Sequence, residues 1–164
     1  MSDFFSYGGP PKAGSEGERR EAQHAILGEI SGEDWEKFIT HAARRRYPAG
    51  AVIVPAGSTE RALCFIASGQ VELRGEASGS GFRAKKAPVT LLGEGEVLGL
   101  LSFLDGAPSA VTATVSAAAP AELLMLSPEA LQQLAAWQPR IAVALLRDLG
   151  EHVAARLRRL QPDA

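Results

Sequence analysis

LCFIASGQVELRG (63–75) and LLGEGEVLGLLSFLDGAPSAVTATVSA (91–117) decide how this chain is read. In both, short apolar runs end at or near a glycine and restart a few residues later. Working outward, the same rhythm covers AVIV (51–54), ALCFIA (62–67), QVEL (70–73), PVTLL (88–92), EVLGLL (96–101), VTATV (111–115) and ELLML (122–126). Gly50, Gly57, Gly69, Gly75, Gly93, Gly95 and Gly106 sit between these runs or at their ends. Short strands with turn signals every 8–12 residues or so predict a β-sandwich, roll or barrel over 47–126. No pattern of helix length interrupts them, which argues against a parallel α/β sheet.

Helical patterns flank this region. Before it, residues 18–46 read as helix: Ser31 and Asp34 resemble a capping box, and Trp35, Phe38, Ile39 and Ala42 recur at helical spacing. That helix is expected to stop before Pro48, with Arg44, Arg45 and Arg46 complementing the negative end of its dipole. After it, Ser127 is an expected N-cap with Pro128 in the first turn, and Gln138-Pro139 opens a second helix. In that second helix Leu146, Leu149, Val153, Leu157 and Leu160 repeat at spacings of three and four. The stripe fits two arrangements: packing on the β-roll, or pairing of the 140–160 helix with its copy in a homodimer. At the other terminus, residues 1–17 read as a flexible tether in which Phe4, Phe5 and Tyr7 form an apolar hook, either for a partner or for the chain's own domain. Residues 18–164 are then a single domain.

Composition narrows the function classes. The chain has 164 residues, 17 Lys+Arg against 19 Asp+Glu and a formal charge of −2, which disfavours binding to a nucleic-acid backbone. Cys64 is the sole cysteine, so an internal disulfide and a cysteine-based zinc cluster are excluded, and its apolar surroundings mark it as a small buried hydrophobe. No stretch reads as a signal peptide or a membrane span, so a cytoplasmic location is expected. The histidines, His24, His41 and His152, all lie in expected helices, and none falls between 42 and 151. A metal-dependent enzyme of the cupin type, which needs His and Glu clustered on strands, is therefore disfavoured. Glu94 and Glu96 flank a glycine turn and do not form an acid–base pair. No catalytic residue, metal ligand or resident cofactor is expected.

The order of YPAGAVIVPAGS (47–58), LCFIASGQVELRG (63–75) and LLGEGEVLGLLSFLDGAPSAVTATVSA (91–117) resembles the cyclic nucleotide-binding domain of the catabolite activator protein and kinase regulatory subunit superfamily. The resemblance spans about residues 20–160 and implies a jelly-roll-like antiparallel β-roll (a double-stranded β-helix) with one helix before it and two after. It further implies a cyclic nucleotide as effector, held by a phosphate cassette: a glycine and a short helix, a Glu on the ribose hydroxyl and an Arg on the phosphate. Gly99 and LLSFL (100–104) match the turn and short helix. The family's Gly-Glu-Leu reads Gly99-Leu100-Leu101, however, and its Arg-Ser/Thr-Ala reads Ser109-Ala110, or Val111-Thr112-Ala113 one gap later.

The implied pocket is thus Gly99, Leu100, Leu101, Ser102, Ser109, Ala110, Val111 and Thr112, with neither the Glu nor the Arg. A buried phosphate without its cation loses about 2–5 kcal/mol. An unpaired ribose hydroxyl loses about 1–3 kcal/mol more. Weak or absent cAMP binding is expected, in a sensor or protein-regulating module. The alternative is a working cAMP or cGMP site completed from another wall by Arg74 or Arg83. In the family's transcription factors a helix-turn-helix follows the long helix; with Ala164 ending this chain, direct DNA reading is not expected. A small-molecule effector and a protein partner remain the expected partners, and no membrane is implied.

Overall fold

The structure is a computed structural model that describes Leu27 and residues 30–75 and 89–161. Helix α1 (Gly32–Ile39) leads into strands β1 (Ala43–Tyr47), β2 (Val52–Val54), β3 (Leu63–Ser68), β4 (Val71–Gly75), β5 (Val89–Leu92) and β6 (Val97–Leu98). Helix α2 (Leu100–Asp105) interrupts the strands, followed by β7 (Val111–Val115), β8 (Ala121–Leu126), α3 (Pro128–Trp137) and α4 (Pro139–Leu160). The strands form two four-stranded sheets, ordered β1-β8-β3-β6 and β2-β7-β4-β5. All their pairings are antiparallel. This is the antiparallel β-roll with flanking helices that the family resemblance implies, one of the forms left open by the short runs and glycine turns. The tether, His24 and Arg83 lie outside the described residues.

Two apolar cores hold it. The interior of the roll joins Ile53, Val71, Leu92, Ala113 and Val115 of the second sheet to Cys64, Ile66, Leu98, Ala121, Leu123 and Met125 of the first. The opposite face of the first sheet carries Leu63, Phe65, Leu124 and Leu126. Those side chains meet Trp35 and Phe38 of α1, Phe103 of α2, Leu134 of α3, and Ile141, Ala142, Leu145 and Leu149 of α4. Phe38 stands edge-on to Phe65 at 5.1 Å between ring centres. Polar fasteners reinforce the helical layer. Arg140 donates to the buried Asp34 carboxylate at 2.8 Å, and the Leu27 amide donates to Asp148 at 2.9 Å.

The helix starts follow their capping residues. Ser31 Oγ accepts from the Asp34 amide, and Ser127 Oγ accepts from the Ala130 amide with Pro128 in the first turn. Two boundaries correct the sequence reading. The leading helix stops at Ile39, with Thr40 Oγ1 donating to the Lys37 carbonyl, and Arg44, Arg45 and Arg46 belong to β1, not to a helix end. β1 is an edge strand paired with β8, and Arg44 reaches across it to Glu122 at 2.7 Å. Charged side chains suit such an edge, because they discourage pairing with another chain. The run EVLGLL is likewise not one strand: β6 ends at Leu98, and Leu100-Leu101 already belong to α2.

Candidate ligand-binding cassette

The cassette begins where β6 stops. Gly99 has φ +80°, and a Cβ there would run into the Ala62 carbonyl, so only glycine makes this turn without strain. α2 follows directly; the Phe103 amide donates to the Gly99 carbonyl and the Gly106 amide to the Ser102 carbonyl, each at 2.9 Å. Phe103 is buried and anchors α2 in the helix-side core, and Leu100 packs against that same cluster. Leu101 and Leu104 are exposed. The side chain at the position implied for the ribose contact is therefore apolar and engaged with the helical layer.

The return from α2 to β7 is tied to the β2–β3 loop. The Ser109 amide donates to the Ser58 carbonyl at 2.8 Å, and the Gly57 amide donates to the Ser109 carbonyl at 2.7 Å. Ser109 Oγ donates to the Val111 carbonyl at 2.7 Å. Thr112 Oγ1 accepts from the Ala56 amide at 3.0 Å. Both hydroxyls are thus used locally, Ser109 on the segment leading into β7 and Thr112 on the β2–β3 loop. Ala110 is exposed, Val111 half-buried. From Gly99 to Thr112 the one charged side chain is Asp105, whose carboxylate accepts from the Ala107 amide at 2.8 Å. An anionic ligand meets no cation in this segment.

Arg74 points away from the interior of the roll. On β4, Val71 and Leu73 point into the roll, so Glu72 and Arg74 take the opposite face. Arg74 stands across from Val89 and Thr112, is 61% exposed, and has Glu72 at 3.9 Å.

A residue that the sequence did not single out does touch the cassette. Arg61, in the β2–β3 loop, donates through Nη2 to the Phe103 carbonyl at 2.8 Å and through Nε to the Ser102 carbonyl at 3.2 Å. A longer contact from Nη2 reaches the Leu104 carbonyl at 3.4 Å. An isolated Arg in a polar loop has no periodicity that would reveal this. Its partners lie 41 to 43 residues further along the chain.

The other titratable candidates lie elsewhere. Burial, with a smaller contribution from Glu60 that outweighs the opposing pull of Arg45, pushes the Cys64 thiol up to about 12, leaving it protonated and unreactive at neutral pH. Burial, then Arg156 and Arg159, lowers the imidazole of His152 below its ordinary value. His41 joins Glu33, Glu36, Lys37, Thr40 and Gln138 around a groove of about 260 Å³ that includes no cassette residue. Among the described residues no group of three or more His, Cys, Asp or Glu is placed to hold a metal ion, and no helix is long and apolar enough to cross a membrane.

The fold recurs in known structures. The catabolite activator protein of Thermus thermophilus is similar at 28% identity and a TM-score of 0.70, over 85% of this chain and 61% of that one. The chain thus spans about three fifths of that protein's length. The N-terminal domain of a transcriptional regulator from Streptomyces coelicolor is similar at 25% identity and a TM-score of 0.67, over 86% of this chain and 91% of that one. A cyclic nucleotide-binding domain from Methylobacillus flagellatus, at 24% identity and a TM-score of 0.69, shares the fold over 85% of this chain and 77% of its own. Among curated protein sequences none matches. Residues 44–136, which run from β1 through the cassette into α3, match the cyclic nucleotide-binding domain family, and the chain belongs to it.

Proposed function

We propose that this protein is a non-catalytic regulatory module of the cyclic nucleotide-binding fold, whose cassette does not hold cAMP or cGMP through the family's contacts. The observation that carries this reading is Ser109. It lies in the stretch where the resemblance places the family's Arg-Ser/Thr-Ala, and its amide, carbonyl and hydroxyl are all bonded within the chain. Leu100, packed into the helix-side core, supports the same reading at the ribose position. Arg74, on the outer face of the second sheet, gives no support to a rearranged cyclic-nucleotide site.

Thermal unfolding of the full chain with and without millimolar cAMP or cGMP tests this. A ligand at 100 times its dissociation constant adds about 2.7 kcal/mol, worth several degrees for a domain of this size. No shift is expected with either nucleotide. A shift of several degrees would reject the proposal.

The module acts as a homodimer in this reading. Val143, Leu146, Leu157 and Leu160 are 45–75% exposed along α4, at spacings of a helical seam, while Leu149 turns inward with Ile141 and Leu145. Sedimentation should give a dimer that Leu157→Glu converts to monomer; a wild-type chain that is monomeric at tens of micromolar would refute this part.

A further inference from the structure

The helix α2 has little of its own to hold it. Six residues are too few for a self-supporting helix. Its N-cap, Gly99, offers no side chain, and it has neither an acidic residue in the first turn nor a basic one in the last. Three carbonyls of its last turn nevertheless have a partner. The guanidinium of Arg61 spans those of Ser102, Phe103 and Leu104, the place where a cation complements the negative end of a helix.

The same loop engages the rest of the cassette. Next to Arg61, the Ala62 carbonyl backs directly onto Gly99 at the start of α2. At the loop's other end Ala56, Gly57 and Ser58 bond to Thr112 and Ser109 beyond α2. One short loop therefore grips the cassette at its entry, at the helix end and at its exit.

We infer that Arg61 is a positioning residue, an internal clamp that assembles the cassette without a bound ligand. This rests on the preceding reading, in which no cyclic phosphate organises the segment, and adds what does so instead. A charge-assisted fork from the β2–β3 loop supplies the order that a bound anion could otherwise impose. The cassette is then assembled by default, and a signal acts by loosening Arg61 from the α2 carbonyls.

Amide hydrogen exchange on the full chain, free of nucleotide, tests the clamp through the amides of Phe103 and Gly106. In Arg61→Gln these should exchange about tenfold faster than in the wild type, the scale of losing charged hydrogen bonds. Arg61→Lys should fall between, since a point charge cannot fork across neighbouring carbonyls. Amides of β3 and β8 should keep their protection. In about 1 M salt, where the screening length falls to about 3 Å, exchange at Phe103 and Gly106 should quicken in the wild type and not in Arg61→Gln. Equal exchange in wild type and Arg61→Gln overturns the clamp. So does loss of protection throughout β3 and β8, which would make Arg61 a general structural residue. Millimolar cAMP added to Arg61→Gln separates the two proposals: slowed exchange at Phe103 would retire the reading of a cassette without cyclic nucleotide and leave the clamp standing. Unchanged exchange is expected.

Discussion

The two sheets of the roll are built from the same kinds of strand but covered differently. The first, β1-β8-β3-β6, has the roll interior on one face and the helices on the other. Its central strands are therefore solid apolar runs: every residue of AELLML in β8 is buried, and Leu63 to Ile66 of β3 are too. The second sheet, β2-β7-β4-β5, faces the interior on one side alone. In β7 the pattern alternates, with Ala113 and Val115 inward while Thr112 and Thr114 are partly exposed. Polarity is tolerated where one face is left to water. In the doubly covered sheet it needs a partner, as Glu122 has in Arg44.

The cassette bridges these two regimes. α2 is attached to the first through Phe103 and Leu100, while the residues after it feed β7 of the second. Substitutions should divide accordingly. The largest loss is expected at Phe65, fully buried between β3 and α1, where Phe65→Ala should cost about 3–5 kcal/mol in denaturant unfolding. A cost below about 1 kcal/mol would mean that the helical layer is not the tight cover described.

Gly99→Ala should come next, at about 1–3 kcal/mol, because it places a Cβ against the Ala62 carbonyl at φ +80°. Its effect should centre on the cassette, read as faster amide exchange in α2 than in β8. Uniform loosening would contradict the view of the turn as a local device. Thr114→Ala, on the open face of the second sheet, should change stability by no more than about 0.5 kcal/mol. A loss comparable to that at Phe65 would show this face to be as dependent on packing as the first sheet.

Much of this contrast was legible along the chain. The solid runs and the alternating runs both appear as strands, and glycine turns separate them: Gly50, Gly57, Gly69, Gly95 and Gly106 all adopt positive φ. Parity also assigns Arg74: with Val71 and Leu73 inward, residue 74 takes the other face, so its exposure follows from the two-residue repeat. The strand β1 was not legible. Arg44-Arg45-Arg46 has no apolar alternation, and it becomes a strand because β8 offers an edge to pair with and Glu122 offers a counter-charge.

The same division holds for the cassette. Sequence by itself determined the roll, its flanking helices, the glycine turn into α2 and the absence of a cation between Gly99 and Thr112. Each of these is set by local periodicity, backbone freedom or residue identity. Only the tertiary structure decided that Ser109 is bonded to the 57–58 turn and that Leu100 packs against the helical layer. It alone decided, too, that Arg61 closes the far end of α2. Those contacts join segments about 40 or more residues apart, and a hydrogen bond depends on a distance that no local pattern encodes.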